Sequence, residues 1–473
     1  MKRWIAIWAP ASLLIVVGSA LLYLWLVADA AWDIGPRLPG ADDRVAEAPT
    51  TGAPTKITGT LQTFNGRPSD LPGQWPRFRG SEYDNICRQE VPLARSWPEG
   101  GPPVLWSVAL GEGYAGPAIK NGRVYVIDYD RPNGADAIRC FSLDDGAEIW
   151  RYSYPVVIKR FHGMSRAIPT VTDEVVVAIG PKCHVTCLDA SSGEFRWMID
   201  MVGEYGATVP LWYGAQCPVV EDGRAILAPG GKEVLMMAVD VQTGEVVWTC
   251  PNPDGWVMTH SSILPMTFAG RRFYVYCAGD DRRGGVIAVD AQDGSVVWKI
   301  TDWKVRTNVP MPVQVGEDRL FFCAGYGQYD SGCMMLRLTE EGGAIRPEVL
   351  YIRDIEAFGS MQQTPIWYDG HLYGVRITDK QLLCMDDQAE VVWGSSTAVT
   401  FGHGPYAIAD GLIFAMDDEG LLRLARATAT GYVQLAEARV LNGHESWAPL
   451  AFASGRLLVR DTEHMVCLDV AAR

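Results

Sequence analysis

The chain has 473 residues, enough for one large domain or two to three ordinary ones, and 48% of them are apolar, ample for a packed core. Acidic residues outnumber basic ones by 56 to 41, giving a formal charge of −15. That balance argues against nucleic acid and anionic lipid as main partners, because both recruit basic surface.

The first element is apolar. Lys2 and Arg3 precede an uncharged run from Trp4 to Ala28, and Asp29 and Asp33 follow it. As a helix this run spans about 37 Å, enough to cross a bilayer. Basic residues before it and acids after it predict a cytoplasmic N-terminus, with the rest of the chain outside. Ala28-Asp29-Ala30 has the small-x-small form of a signal-peptidase site, but the run is longer than an ordinary signal core. Residues 1–28 therefore read as a cytoplasmic tip and transmembrane anchor. Residues 29–74 scatter Pro36, Pro39, Pro49, Pro54, Pro68 and Pro72 among small residues with no apolar period, which reads as a flexible tether. Residues 75–100 are expected to pack on the domain formed by 101–473.

That domain is a repeat. Eight segments share the form proline, a tight turn and an apolar strand, beginning at Pro117, Pro169, Pro218, Pro265, Pro312, Pro365, Pro405 and Pro449, at intervals of 40 to 53 residues. Asn121-Gly122, Asp222-Gly223 and Asp369-Gly370 suit type I′ hairpins, which need positive φ. A second phrase closes the unit: "AVDVQTGEVVW" ends at Trp248, "AVDAQDGSVVW" at Trp298 and "CLDASSGEFRW" at Trp197. Shortened copies end at Trp150 and Trp393; one degenerate repeat offers Tyr351 instead, and another has no aromatic there. The unit reads as a four-stranded antiparallel meander of propeller-blade length. The eighth repeat stops after its third strand, at "MVCLDVAAR", while an orphan strand with Trp106, "PVLWSVAL", precedes the first. The fold predicted is an all-β, eight-bladed β-propeller whose N-terminal strand closes the last blade, removing exposed edges.

The Asp-x-x-x-Gly-x-x-x-Trp phrase resembles the docking motif of quinoprotein-like propellers, whose repeats are named for pyrroloquinoline quinone (PQQ). The preceding "WPRFRG" (Trp75 to Gly80) resembles a segment of membrane-attached bacterial members. The resemblance covers about 75–473. It implies that Trp106, Trp150, Trp197, Trp248, Trp298 and Trp393 dock neighbouring blades. It implies little about function, because the family holds both non-catalytic scaffolds such as the outer-membrane assembly factor BamB and PQQ-dependent alcohol dehydrogenases. For a catalyst it would imply PQQ with calcium as cofactor. Against that, the sequence has no Cys-x-x-Cys-His, no adjacent cysteines, and no set of Glu, Asn and Asp that matches the calcium positions of those enzymes. The eleven cysteines mostly take positions where other repeats have alanine, and read as small buried apolar residues. Cys183 and Cys187, four apart on one expected strand, would be ~13 Å apart, too far for a disulfide.

The segments ahead of the eight prolines lead from one blade's outer strand to the next blade's inner strand, so they converge on one mouth of the central channel. They place His162, Arg166, Trp212, His260, Arg306, Asn308, Gln363, His403, His444, Glu445 and Trp447 there. A concave mouth with convergent polar and aromatic groups is a binding site by default. No two of these histidines have a local ligand spacing, so no metal site is expected. The reading is a propeller anchored in the cytoplasmic membrane and facing the periplasm or an equivalent envelope space, binding an envelope protein or a small ligand at its mouth. A PQQ-dependent dehydrogenase is the second reading. A carbohydrate binder stacking sugars on Trp212 and Trp447 is the third.

Overall fold

The computed structural model describes residues 17–19, 57–158, 164–326 and 332–472. All but three residues of the expected anchor, and the candidate His162, lie outside them. Among the described residues no helix is long and apolar enough to cross a membrane.

Eight antiparallel sheets form the ring, and their strands fall at 118–155, 170–200, 219–251, 264–300, 313–354, 366–394, 406–439 and 451–469 (blades 1 to 8). Each inner strand starts just after one of the repeated prolines, except in blade 4, where Leu264–Phe268 contains Pro265. Blade 8 contributes three consecutive strands, and its outer strand is Val104–Ala109, with Trp106 opposite Cys467. The N-terminal strand thus closes the ring.

The repeated phrase builds the seams between blades. Asp240 Oδ1 accepts the N–H groups of Gln242 and Thr243, both at 2.9 Å, which folds the turn after the third strand. Gly244 ends that turn at φ 75°, and a Cβ there would lie 2.8 Å from the ring of Trp197 on the preceding blade. Gly146 faces Trp106, Gly193 faces Trp150 and Gly294 faces Trp248 in the same way. Glycine is needed twice over, for its backbone and for the tryptophan it admits. The indole N–H then bonds a carbonyl of the next blade: Trp106 to Leu143, Trp197 to Val241, Trp248 to Ala291 and Trp393 to Thr428, at 2.8–3.1 Å. In the degenerate blade 5, the Tyr351 hydroxyl makes the equivalent bond to the Asp387 carbonyl at 3.0 Å.

Two tryptophans depart from the pattern, for Trp150 and Trp298 are buried with no partner for Nε1 among the described residues. The carbonyl that should receive Trp150 belongs to Ala190 and accepts the Tyr125 hydroxyl instead, at 3.0 Å. Trp298 faces blade 5, where Leu338 lies inside a long hairpin, paired with Pro347, and no Asp-Gly turn presents its carbonyl.

Residues 57–100 are more than a lead-in. Within the stretch read as a tether, Thr60–Thr63 adds a fifth, outer strand to blade 1, and Ser69 bonds Gly122 and Asp144 on the hairpin face. Its prolines break apolar periodicity without preventing strand pairing at an open edge. Residues 75–87 then enter the channel itself. Trp75 exchanges two 2.8 Å backbone bonds with Ile119 on the inner strand of blade 1. The Pro76 carbonyl accepts Val171 N–H from blade 2, and Ile86–Cys87 pairs in parallel with the inner strand of blade 7. Arg79, fully buried at the tip, donates to the carbonyls of Tyr83, Asp84, Thr364 and Pro365 at 2.7–3.2 Å. All eleven cysteines are unpaired and ten are buried. Cys183 sits at φ 67° in the turn before its expected strand, so it and Cys187 do not share one.

Candidate functional site

The inter-blade loops meet on the ring axis around a cavity of ≈ 100 Å³. Seven of the eight supply its wall: Tyr114, Arg166, Trp212, His260, Val309, Gln362 with Gln363, and Trp447 each come from a different one. Tyr326, from a turn within blade 5, completes the wall, and Phe78 of the inserted segment also lines it. The chain thus closes its own channel beneath the mouth.

Each wall residue is held from behind. Arg460, buried on blade 8, donates to the Gly111 and Ala115 carbonyls at 2.9 and 2.8 Å and so fixes the loop carrying Tyr114. Tyr114 stacks on Trp447 with ring centroids 5.2 Å apart, and its hydroxyl donates to Glu445 at 2.5 Å. Trp447 donates its indole N–H to Asp418 at 2.6 Å. On the opposite wall Trp212 lies 5.1 Å from Tyr326 and 6.1 Å from His260, centroid to centroid. Trp212 and Tyr213 both adopt positive φ, the conformation that turns this loop toward the axis. Gln363 donates to the Trp447 carbonyl at 3.0 Å, tying the two sides together.

Two groups set the electrostatics. The Arg166 guanidinium stacks 4.9 Å over the Tyr114 ring and donates through Nε to the Trp212 carbonyl. Burial lowers its pKa. His260 is 6% exposed, and burial, with the Arg166 charge second, pushes its imidazole down to about 3. It is therefore neutral, and its Nε2 has no hydrogen-bond partner among the described residues. A buried acceptor without a partner is costly and calls for an occupant with a donor.

Of the residues expected at the mouth, Arg166, Trp212, His260, Gln363 and Trp447 line this cavity. Asn308 does not: it is buried behind His260, accepts that residue's N–H on its carbonyl at 3.1 Å, and takes the Trp303 indole on Oδ1 at 3.3 Å. Its part is to position His260. His403 stands behind Trp447, edge-on at 5.5 Å, and burial lowers its pKa. Arg306 is exposed outside the lining. His444 and Glu445 border a separate cleft of ≈ 380 Å³ with Asp461 and His464. Glu445 still reaches the axial wall through Tyr114. Tyr114 lies in the loop "GEGYAGP", so its position was open to the loop argument that found the others. Phe78 carried no such signal, since nothing local tells that a segment before the ring will thread it.

The described residues do not fit PQQ with a calcium ion. Calcium takes about six to eight oxygens, whereas no group of three His, Cys, Asp or Glu side chains converges anywhere among the described residues. Glu445, the carboxylate bonded into the wall, lies outside the lining and is engaged by Tyr114. The channel below is filled by residues 75–87.

The family described as outer membrane protein assembly factor BamB has a model that matches residues 134–393. No curated protein matches the chain. Among solved structures, BamB from Moraxella catarrhalis aligns with TM-score 0.53 at 14% identity, covering 77% of this chain and 97% of its own. A europium-containing methanol dehydrogenase aligns at 0.57 and 13% identity over 84% and 90%. The quinohemoprotein alcohol dehydrogenase from Comamonas testosteroni aligns at 0.59 and 13% identity over 85% and 81%. At these identities the likeness is one of fold.

Proposed function

The chain belongs to the PQQ-repeat propeller family of outer membrane protein assembly factor BamB, and from that premise we propose that it is a non-catalytic binding module that holds an envelope component at its axial mouth. One observation carries this reading. Seven inter-blade loops and the inserted Phe78 build a pocket on the axis, and it contains a buried acceptor, His260 Nε2, that no group among the described residues satisfies. The ring supplies rigidity: loops anchored at both ends by strands hold the wall in place, so binding requires little ordering.

Attachment to the cytoplasmic membrane is part of the proposal. It rests on Lys2 and Arg3 ahead of the uncharged run 4–28, with the propeller on the far side. The partner is then an envelope protein or envelope ligand. The dehydrogenase reading is weakened by the missing oxygen set for calcium. The sugar-binding reading is weakened because Trp447 already spends a ring face on Tyr114 and Trp212 is packed against Tyr326.

The test uses the full chain in native membranes. Trp212→Ala with Gln363→Ala should keep the ring folded, since neither residue lies in a blade seam, and should abolish co-purification of the component retained by the wild type. Equal recovery from both would overturn the reading, as would dye reduction by the wild type after addition of PQQ and Ca²⁺.

A further inference from the structure

Taking the axial pocket as the binding site, we infer that it is shaped for one uncharged phenol ring, the chemistry of a tyrosine side chain presented by the partner. Size comes first. A cavity of ≈ 100 Å³ is of the order of the ~150 Å³ cavity that holds benzene in an engineered protein core, so it suits one six-membered ring and is small for a fused bicycle or a sugar with its hydroxyls.

Charge comes second. Phe78, Tyr114, Trp212, Tyr326 and Trp447 surround the space, and such an aromatic cage would ordinarily attract a cation through the ring faces. Here Arg166 already places a positive charge over Tyr114; the Glu445 carboxylate that acts on it is engaged by the Tyr114 hydroxyl outside the lining, so a second cation meets the like charge first. An anion could pair with Arg166 only by drawing its guanidinium off the Tyr114 ring and the Trp212 carbonyl, and it would meet the bare lone pair of His260 Nε2, because that ring is neutral and its other nitrogen is engaged by the Leu211 backbone. What remains is a neutral ring.

Hydrogen bonding comes third. His260 Nε2 can only accept, so the ring must carry a donor. A phenol O–H meets all three conditions. The position also favours a side chain over a free molecule: the pocket lies on the axis at the centre of the loop face, where a partner seated on the rim would point one residue inward.

Isothermal titration of the full chain in nanodiscs with p-cresol, toluene, 4-methylanisole, benzoate, choline and a capped Gly-Tyr-Gly peptide tests this. p-Cresol should bind at least about tenfold more tightly than toluene or 4-methylanisole, because either leaves the acceptor unpaired. The tyrosine peptide should bind at least as well as p-cresol, and choline and benzoate more weakly. His260→Phe should erase the difference between p-cresol and toluene. Equal affinity for p-cresol and toluene on the wild type, which needs no variant to fold, would overturn the inference. So would tighter binding of benzoate or choline, and exclusion of the peptide would overturn the side-chain source. Any of these results alongside a co-purified component lost in the Trp212→Ala, Gln363→Ala variant would leave the mouth as the docking site and remove only the phenol.

Discussion

Trp150 and Trp248 occupy the same place in the repeat and differ in one hydrogen bond. Trp248 donates to Ala291 at 3.1 Å, whereas Trp150 has no acceptor among the described residues. Replacing Trp248 by Phe loses that bond as well as ring area, and leaves the Ala291 carbonyl less satisfied. Replacing Trp150 by Phe loses area but relieves a buried donor. Thermal unfolding should place Trp248→Phe about 1 kcal/mol below Trp150→Phe; equal costs would show that the indole N–H does not bind the blades. A second residue sets a pH dependence. Asp136 is buried in the seam of blades 1 and 2, accepts the Tyr154 hydroxyl at 2.5 Å, and has no partner for Oδ1 among the described residues. Burial, with the Asp128 charge adding to it, pushes its carboxyl up to about 7. A raised folded pKa means that the native state binds the proton more tightly than the unfolded chain does. Its contribution is therefore complete below the unfolded value of 3.8 and is lost as pH rises through about 7. Asp136→Asn should gain Tm relative to wild type as pH is raised from about 5 to about 8. Parallel Tm curves for the two proteins would contradict this.

At the scale of elements, the N-terminal segment does three jobs along one stretch of chain. It adds a strand to blade 1, fills the channel with 75–87, and closes blade 8 with Val104–Ala109. Only the last was legible in the sequence, because a missing strand at one end and an orphan strand at the other are visible as soon as the repeat is counted. The threading of the channel was not legible, since its contacts run from Arg79 to Thr364 and Pro365, nearly three hundred residues away, and 75–100 was expected only to pack on the propeller; the added strand was hidden by the prolines of 29–74, which mimic a tether. Arg79 is the keystone of that insertion. Arg79→Met keeps the volume but strands the buried carbonyls of Thr364 and Pro365, at a cost of at least about 2 kcal/mol. Limited proteolysis of this variant should cut first within 75–87 while the blades stay resistant. Cleavage that began in the blade hairpins would show that Arg79 supports the ring and not the insertion.

For the whole molecule, the eight-fold repeat made the ring and its mouth readable, because every inter-blade loop must start at an outer strand and end at an inner one. That argument locates loops, but within a loop no periodicity says which side chain turns toward the axis. Arg166, Trp212, His260, Gln363 and Trp447 turn inward, whereas Arg306 faces solvent, Asn308 is spent on His260, and His444 opens onto another cleft. The division of the molecule into a structural end and a binding end follows from the same geometry. The hairpin at Asp222-Gly223 ends an inner strand whose start lies at the mouth, so the two positions mark opposite faces. A photo-cross-linking residue placed at Gln362 on the mouth, or at Asp222 on the far face, in the full chain in living cells measures which face is occupied. Position 362 should give a discrete adduct that disappears with Trp212→Ala, and position 222 none. No adduct at 362, or the same adducts from both faces, would contradict a binding site on the axis.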